Sequence, residues 1–102
     1  MHDCVIKGAL IIDGTGADPY SADLAVSGGK IVEIGRLEAD AAQSVYEAGG
    51  RVLAPGFIDL HSHSDLGLML SPYEPNKVSQ GVTTEVAGNC GFSLFPITPE
   101  GK

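Results

Sequence analysis

Three residues are of types that bind metal and stand where a fold could gather them: His61, His63 and Cys90. The histidines fall late in Pro55-Gly56-Phe57-Ile58-Asp59-Leu60-His61-Ser62-His63-Ser64-Asp65, an apolar run with a turn at its start. Two imidazoles so spaced at a strand end can share one divalent ion, which takes nitrogen ligands at about 2.0–2.1 Å in a roughly tetrahedral shell. Side chains alternate along a strand, so Asp59, His61 and His63 are expected on one face with Phe57, and Ile58 and Leu60 on the other. A His-x-His pair by itself also fits two surface histidines just past a strand. Here the Pro-Gly turn and the apolar run place the pair where a buried strand would end. Cys90 stands in Gly88-Asn89-Cys90-Gly91. A free cysteine is often just a small buried hydrophobe, but the flanking glycines predict a tight exposed turn. Thiolate plus imidazole is a donor set that suits Zn²⁺ best among common divalent ions.

The elements around these residues can position them. Val82 to Ala87 is a β-branched run read as a strand, and Asn76 to Gln80 is a candidate short helix entered through Pro75 and stopped by Gly81. Leu66 to Leu70 is apolar, and Ser71-Pro72-Tyr73-Glu74-Pro75 breaks any helix begun there. Strand, helix-bearing crossover and strand make a βαβ unit with parallel strands and a right-handed connection. Chemistry in such units collects at the carboxyl ends of the strands. His61 and His63 lie at one such end and Cys90 just beyond the other.

Upstream, Asp3 to Ile12 suits one or two short strands interrupted at Gly8 and ended by Asp13-Gly14-Thr15-Gly16. Ala22–Ser27 and Lys30–Gly35, joined by Gly28-Gly29, predict a β-hairpin, because two-residue turns need the positive φ that glycine adopts cheaply. Leu37 to Gln43 is Ala- and acid-rich and fits a helical turn or an exposed loop equally. Ser44–Glu47 and Arg51–Ala54 read as short strands around Ala48-Gly49-Gly50. The first half is thus expected to be a small antiparallel β-unit, with domains 1–54 and 55–102 meeting at Pro55-Gly56. Phe92 to Lys102 is expected to be loop.

Composition narrows the function classes. An apolar fraction of 43% over 102 residues suits a globular chain, and 14 glycines suit short strands and turns. Thirteen acidic residues face six basic ones, a formal charge of −7 with no basic stripe, which disfavours nucleic-acid binding. The longest aliphatic run, Ala9-Leu10-Ile11-Ile12, is too short for a membrane span, and Met1 is not followed by a signal-peptide pattern. A cytoplasmic protein is expected. Cys4 and Cys90 have no Cys-x-x-Cys spacing, so both thiols are expected to stay reduced.

Leu53-Ala54-Pro55-Gly56-Phe57-Ile58-Asp59-Leu60-His61-Ser62-His63 resembles the first-strand signature of the amidohydrolase superfamily. The segments Asp23–Val26 and Ile31–Gly35 resemble its small β-sandwich domain. More narrowly, Gln80-Gly81-Val82-Thr83-Thr84-Glu85-Val86-Ala87-Gly88-Asn89-Cys90-Gly91-Phe92-Ser93, with Pro96 after it, is similar to the N-acyl-D-amino-acid deacylases, or D-aminoacylases. The resemblance implies a mixed α/β fold: a small antiparallel β-sandwich-like domain, then the first βαβ unit of a (β/α)₈ barrel with zinc at its carboxyl face. Cys90 would hold the tightly bound zinc, and His61 with His63 part of a second metal position. Metal-activated water would hydrolyse the amide of an N-acyl-D-amino acid, with an aspartate moving the proton. Such a barrel takes about 250 residues, and no histidine follows His63. The remaining ligands and the general base have no counterpart here, so the chain alone is expected to be inactive. Asp65 is expected to orient a histidine or cap a loop, and Asp59 to be a hydrogen-bonding partner. Two other readings remain: a hydantoinase- or dihydroorotase-like cyclic-amide hydrolase, and a non-catalytic β-rich binding module. An unpaired parallel edge and an uncovered apolar face predict a homo-oligomer.

Overall fold

The computed structural model describes residues 1–38, 42–73 and 75–93. The chain divides into two compact units, Met1–Pro55 and Gly56–Lys102.

The first unit is a five-stranded sheet of β1 (His2–Ile11), β2 (Tyr20–Ser27), β3 (Lys30–Gly35), β4 (Ala42–Glu47) and β5 (Val52–Leu53). Strands β3, β2 and β1 are antiparallel neighbours, and the β2–β3 hairpin turns through Gly28 and Gly29 at φ 58° and 72°, the positive values that its two-residue loop requires. β1 is one strand rather than two. Its register against β2 slips between Ile6 and Ala9, so that Lys7 and Gly8 together oppose Asp23, and Gly8 takes φ 63°. That is a β-bulge with glycine in the left-handed position.

The expected all-antiparallel unit is corrected here. β4 and β5 pair parallel with β1, through His2↔Ala42 to Lys7↔Glu47 and then Leu10↔Val52 and Ile11↔Leu53. They behave as one interrupted strand along the free edge of β1. The break at Gly49-Gly50 matches the bulge opposite, where Ala48 N–H donates to Lys7 O (2.8 Å) and Gly50 N–H to Gly8 O (2.7 Å). Leu37, on the way from β3 to β4, is buried with Val5 and Ala25. This apolar anchor draws the crossing segment onto the sheet, which leaves β4 running in the same direction as β1. Of the 37–43 segment, Leu37 and Glu38 have no regular structure, Ala42 and Gln43 begin β4, and 39–41 lie outside the described residues. A second cluster packs Ala9, Ile11 and Ala48, flanked by Ile6, Ala22 and Leu53.

The second unit comprises β6 (Phe57–Asp59), α1 (Asp65–Leu70), α2 (Pro75–Val78) and β7 (Val82–Glu85), followed by a 3₁₀ turn at Asn89–Gly91. β6 and β7 are parallel, with Phe57↔Val82, Ile58↔Thr84 and Asp59↔Glu85 in register. Gly56 permits this approach: a Cβ there would lie 2.7 Å from Thr83 Cβ. The apolar run 66–70 belongs to α1, which ends where Ser71 N–H donates to Gly67 O, just before Pro72. β7 stops at Glu85, short of the expected Ala87. Of the expected C-terminal loop, Phe92 and Ser93 are irregular and 94–102 lie outside the described residues. Among the described residues no helix is long and apolar enough to cross a membrane.

Candidate metal centre

The expected alternation through His63 fails because β6 ends at Asp59. Asp59 Oδ1 accepts the N–H of His61 at 3.1 Å. This Asx-type turn peels the chain off the strand direction, so the histidines sit on a loop beyond the strand instead of sharing its face with Asp59. The loop is fixed from below. Ser62 is buried, 3% exposed. Its N–H donates to Val86 O (3.1 Å), and its Oγ accepts Ser64 N–H (3.1 Å), donates to Glu85 Oε2 (3.1 Å) and lies 2.8 Å from Ser64 Oγ.

Cys90 arrives from the other strand end. Its φ of 55° is the sole positive value of a non-glycine among the described residues, between Gly88 at 81° and Gly91 at 79°. A side chain in the left-handed region costs about 1–2 kcal/mol, and such strain concentrates at functional sites. Two side chains hold the turn against the histidine loop. Asn89 Nδ2 donates to Val86 O (2.7 Å) and Ser62 O (3.1 Å), and Gly88 N–H donates to Asp65 Oδ1 (3.1 Å). Asp65 therefore acts as the anticipated loop cap.

The structure brings His61, His63 and Cys90 together. Their ligand atoms all lie within 4.8 Å of one another, and all three residues are exposed. Cys90 Sγ is 3.4 Å from His61 Nε2. The imidazoles meet edge to face with centroids 5.3 Å apart, and His63 meets the Phe92 ring at 6.0 Å. Thiolate and imidazole on one tetrahedral zinc stand about 3.6 Å apart, so the Sγ–Nε2 spacing needs only slight adjustment. The donor set fits zinc, and all three side chains are accessible to an ion. Cys4 and Cys90 are both free thiols.

Beneath the loop is a charged group that composition and spacing did not single out. Lys77 Nζ lies 2.5 Å from Asp59 Oδ2 and 2.8 Å from Glu85 Oε1. The ammonium holds both carboxyls below their ordinary range, and they in turn raise the lysine. One signal was available in the sequence. Parallel pairing of β6 with β7 sets two strand-ending carboxylates side by side, and Lys77 is the single cation in the crossover between them.

The chain is also similar to known proteins. A model described as the amidohydrolase family matches residues 44–101. N-acyl-D-aspartate deacylase of Alcaligenes xylosoxydans xylosoxydans is 49% identical over 96 residues, covering 94% of this chain and 19% of that enzyme. The crystal structure of N-acyl-D-glutamate deacylase from Bordetella bronchiseptica contains zinc and a phosphonate mimic of the tetrahedral intermediate. It matches with TM-score 0.90 at 48% identity, covering 98% of this chain and 21% of that one. A crystal structure of D-aminoacylase matches with TM-score 0.88 at 43% identity, over 95% of this chain and 20% of that one. The chain spans about a fifth of the length of these relatives.

Proposed function

The chain belongs to the amidohydrolase family, and on that premise we propose that it forms the metal-binding end of an N-acyl-D-amino-acid deacylase. The observation that carries this is the convergence of His61, His63 and Cys90 at the ends of two parallel strands. In this reading β6 and β7 are the first two strands of a (β/α)₈ barrel, and the sheet of residues 1–55 is part of the accompanying β-domain. Cys90 would hold the tightly bound zinc and His61 with His63 part of a second metal position beside it, and the bound metal would supply Lewis-acid polarisation of an amide carbonyl and of water. The protein's own residues supply placement. The Cys90 turn presents a thiolate, the Asp59 turn and buried Ser62 orient two imidazoles, and Asp65 and Asn89 hold the two loops in register. The substrate is an N-acyl-D-amino acid, the class on which the similar enzymes act by name, and the products are a carboxylate and a D-amino acid.

The first test is zinc stoichiometry of the reduced chain by elemental analysis, beside Cys90→Ser and His61→Ala. Bound zinc that both substitutions reduce is expected; a chain that takes up none, or whose variants bind as well, would sink the metal assignment. The substrate is tested by amide hydrolysis of N-acetyl-D-glutamate against its L enantiomer, using an enzyme that contains this sequence together with a complete barrel. Preference for the D form is expected. Exposed Phe57, Ile58 and Leu60 and the edges of a two-stranded sheet also suit self-association of the 102-residue chain. A sharp monomer in sedimentation at tens of micromolar would contradict it.

A further inference from the structure

Asp59 and Glu85 are register partners on neighbouring parallel strands, so two carboxylates stand side by side at the strand ends. Like charges directly opposite across a sheet are destabilising. Each carboxylate turns one oxygen toward Lys77 and the other toward the loop. Asp59 accepts the Lys77 ammonium at Oδ2 and the N–H of His61 at Oδ1. Glu85 sets Oε1 2.8 Å from the ammonium as an ion pair without hydrogen-bond geometry, and its Oε2 accepts the hydroxyl of Ser62, whose oxygen also accepts Ser64 N–H. One ammonium on α2 therefore fixes two carboxylates, and each carboxylate fixes one side of the loop that carries His61 and His63. The side chains of Lys77 and Glu85 are 26% and 10% exposed, so water competes weakly for the bonds between them.

We propose that Lys77 is a positioning residue for the metal-binding loop: clamped between Asp59 and Glu85, it holds the 61–64 turn in the form that converges both imidazoles on Cys90. Take the ammonium away and the two carboxylates repel, swing apart and release the His61 amide and the Ser62 hydroxyl. The lysine touches no ligand atom and acts through the two carboxylates, as outer partners of metal ligands commonly do. The inference rests on His61, His63 and Cys90 being a metal site.

The test compares wild type, Lys77→Met and Lys77→Arg on the full chain, with cobalt(II) as probe. Affinity is read by competition with a chelator, and geometry by the thiolate-to-cobalt absorption of Cys90. Lys77→Met is expected to bind cobalt about 10–100-fold more weakly with an altered spectrum, and Lys77→Arg, which keeps the charge, to recover most of the affinity. Without metal, NMR-detected exchange of the His61 and Ser64 amides should be at least about tenfold faster in Lys77→Met, as expected when a charge-assisted anchor is lost. Unchanged affinity and exchange in Lys77→Met would overturn the assignment. So would failure of Lys77→Arg to rescue, or loss of the β6–β7 pairing with Phe57 and Val86 exchanging as fast as His61, since the lysine would then determine the fold and not the loop. A wild-type chain that takes up no cobalt would overturn the metal reading instead, and the exchange rates would then decide the role of Lys77.

Discussion

Lys7 meets Asp23 at 2.8 Å in the first unit, and Lys77 meets Asp59 at 2.5 Å in the second, yet the two pairs stand in different surroundings. Asp23 lies opposite the β1 bulge, 8% exposed, and accepts Gly8 N–H (2.7 Å), Leu37 N–H (2.9 Å) and the Lys7 ammonium. Lys7 also donates to Leu37 O. Every partner belongs to the sheet or to the crossing segment, and the buried apolar side chains Val5, Ala9, Ile11, Leu24, Ala25, Leu37 and Ala48 all lie in the same unit. In the second unit Phe57, Ile58 and Leu60 are 60–73% exposed. There the ion pairs stand beneath the loop that carries His61 and His63. The first lysine–aspartate pair staples a sheet with its own buried cluster; the second braces the turn that leaves a strand end.

That contrast can be broken most forcefully at Val5, which is fully buried in the first unit. Val5→Asp places an unpaired charge in the apolar cluster and should destabilise the sheet by about 4 kcal/mol or more, read as loss of amide protection in β1 and β2. The β6–β7 amides should keep theirs; if they melt together, the units are not separately held.

Asp23→Asn comes next. It removes the charge from three hydrogen bonds at a buried site, an expected loss of about 2–3 kcal/mol, measured by urea unfolding, with cobalt uptake unaffected. The pH dependence has a definite sign. Leu37 N–H, then Lys7, then Gly8 N–H hold the Asp23 carboxyl down at about 2, below its ordinary 3.8. A depressed carboxyl stabilises the fold fully above its unfolded value and loses that contribution as pH falls. The sheet should therefore weaken between about pH 4 and about pH 2, and Asp23→Asn should flatten that part of the profile.

Two smaller changes act in the second unit. Gly56→Ala forces a methyl against Thr83 and should cost about 1–3 kcal/mol, seen as faster exchange at Phe57 and Val86 with β1 and β2 unchanged. Cys90→Gly relieves the left-handed strain, a gain of about 1 kcal/mol partly offset by a freer unfolded chain, while metal uptake is lost. A large fall in urea midpoint for this variant would mean that Cys90 packs as a structural residue.

Residue types and turn chemistry made much of this legible in advance. Gly28-Gly29 required positive φ and so gave the hairpin, the short helix expected over Asn76–Gln80 is found at Pro75–Val78 with Gly81 in the turn before β7, two histidines and a cysteine declared a zinc-type donor set, and the resemblance to amidohydrolases agrees with the family match. The direction of β4 and β5 was hidden, because alternation has the same period in parallel and antiparallel pairs. Leu37, buried on the sheet and hydrogen-bonded to Asp23 and Lys7, fixes where the chain goes after β3, and alternation does not encode that. The end of β6 was hidden for a related reason: the run Phe57 to His63 alternates acceptably as a strand, and the capture of the His61 amide by Asp59 is a matter of rotamer and space.

The sequence by itself determined which atoms can bind metal, since donor chemistry belongs to the side chain and travels with it into any fold. Tertiary structure decided that Asp59 stands beside Glu85 and that Lys77 reaches both. Register across a parallel pair and the path of a crossover are properties of two strands together. The same lysine on an unpaired chain would be one more solvated charge.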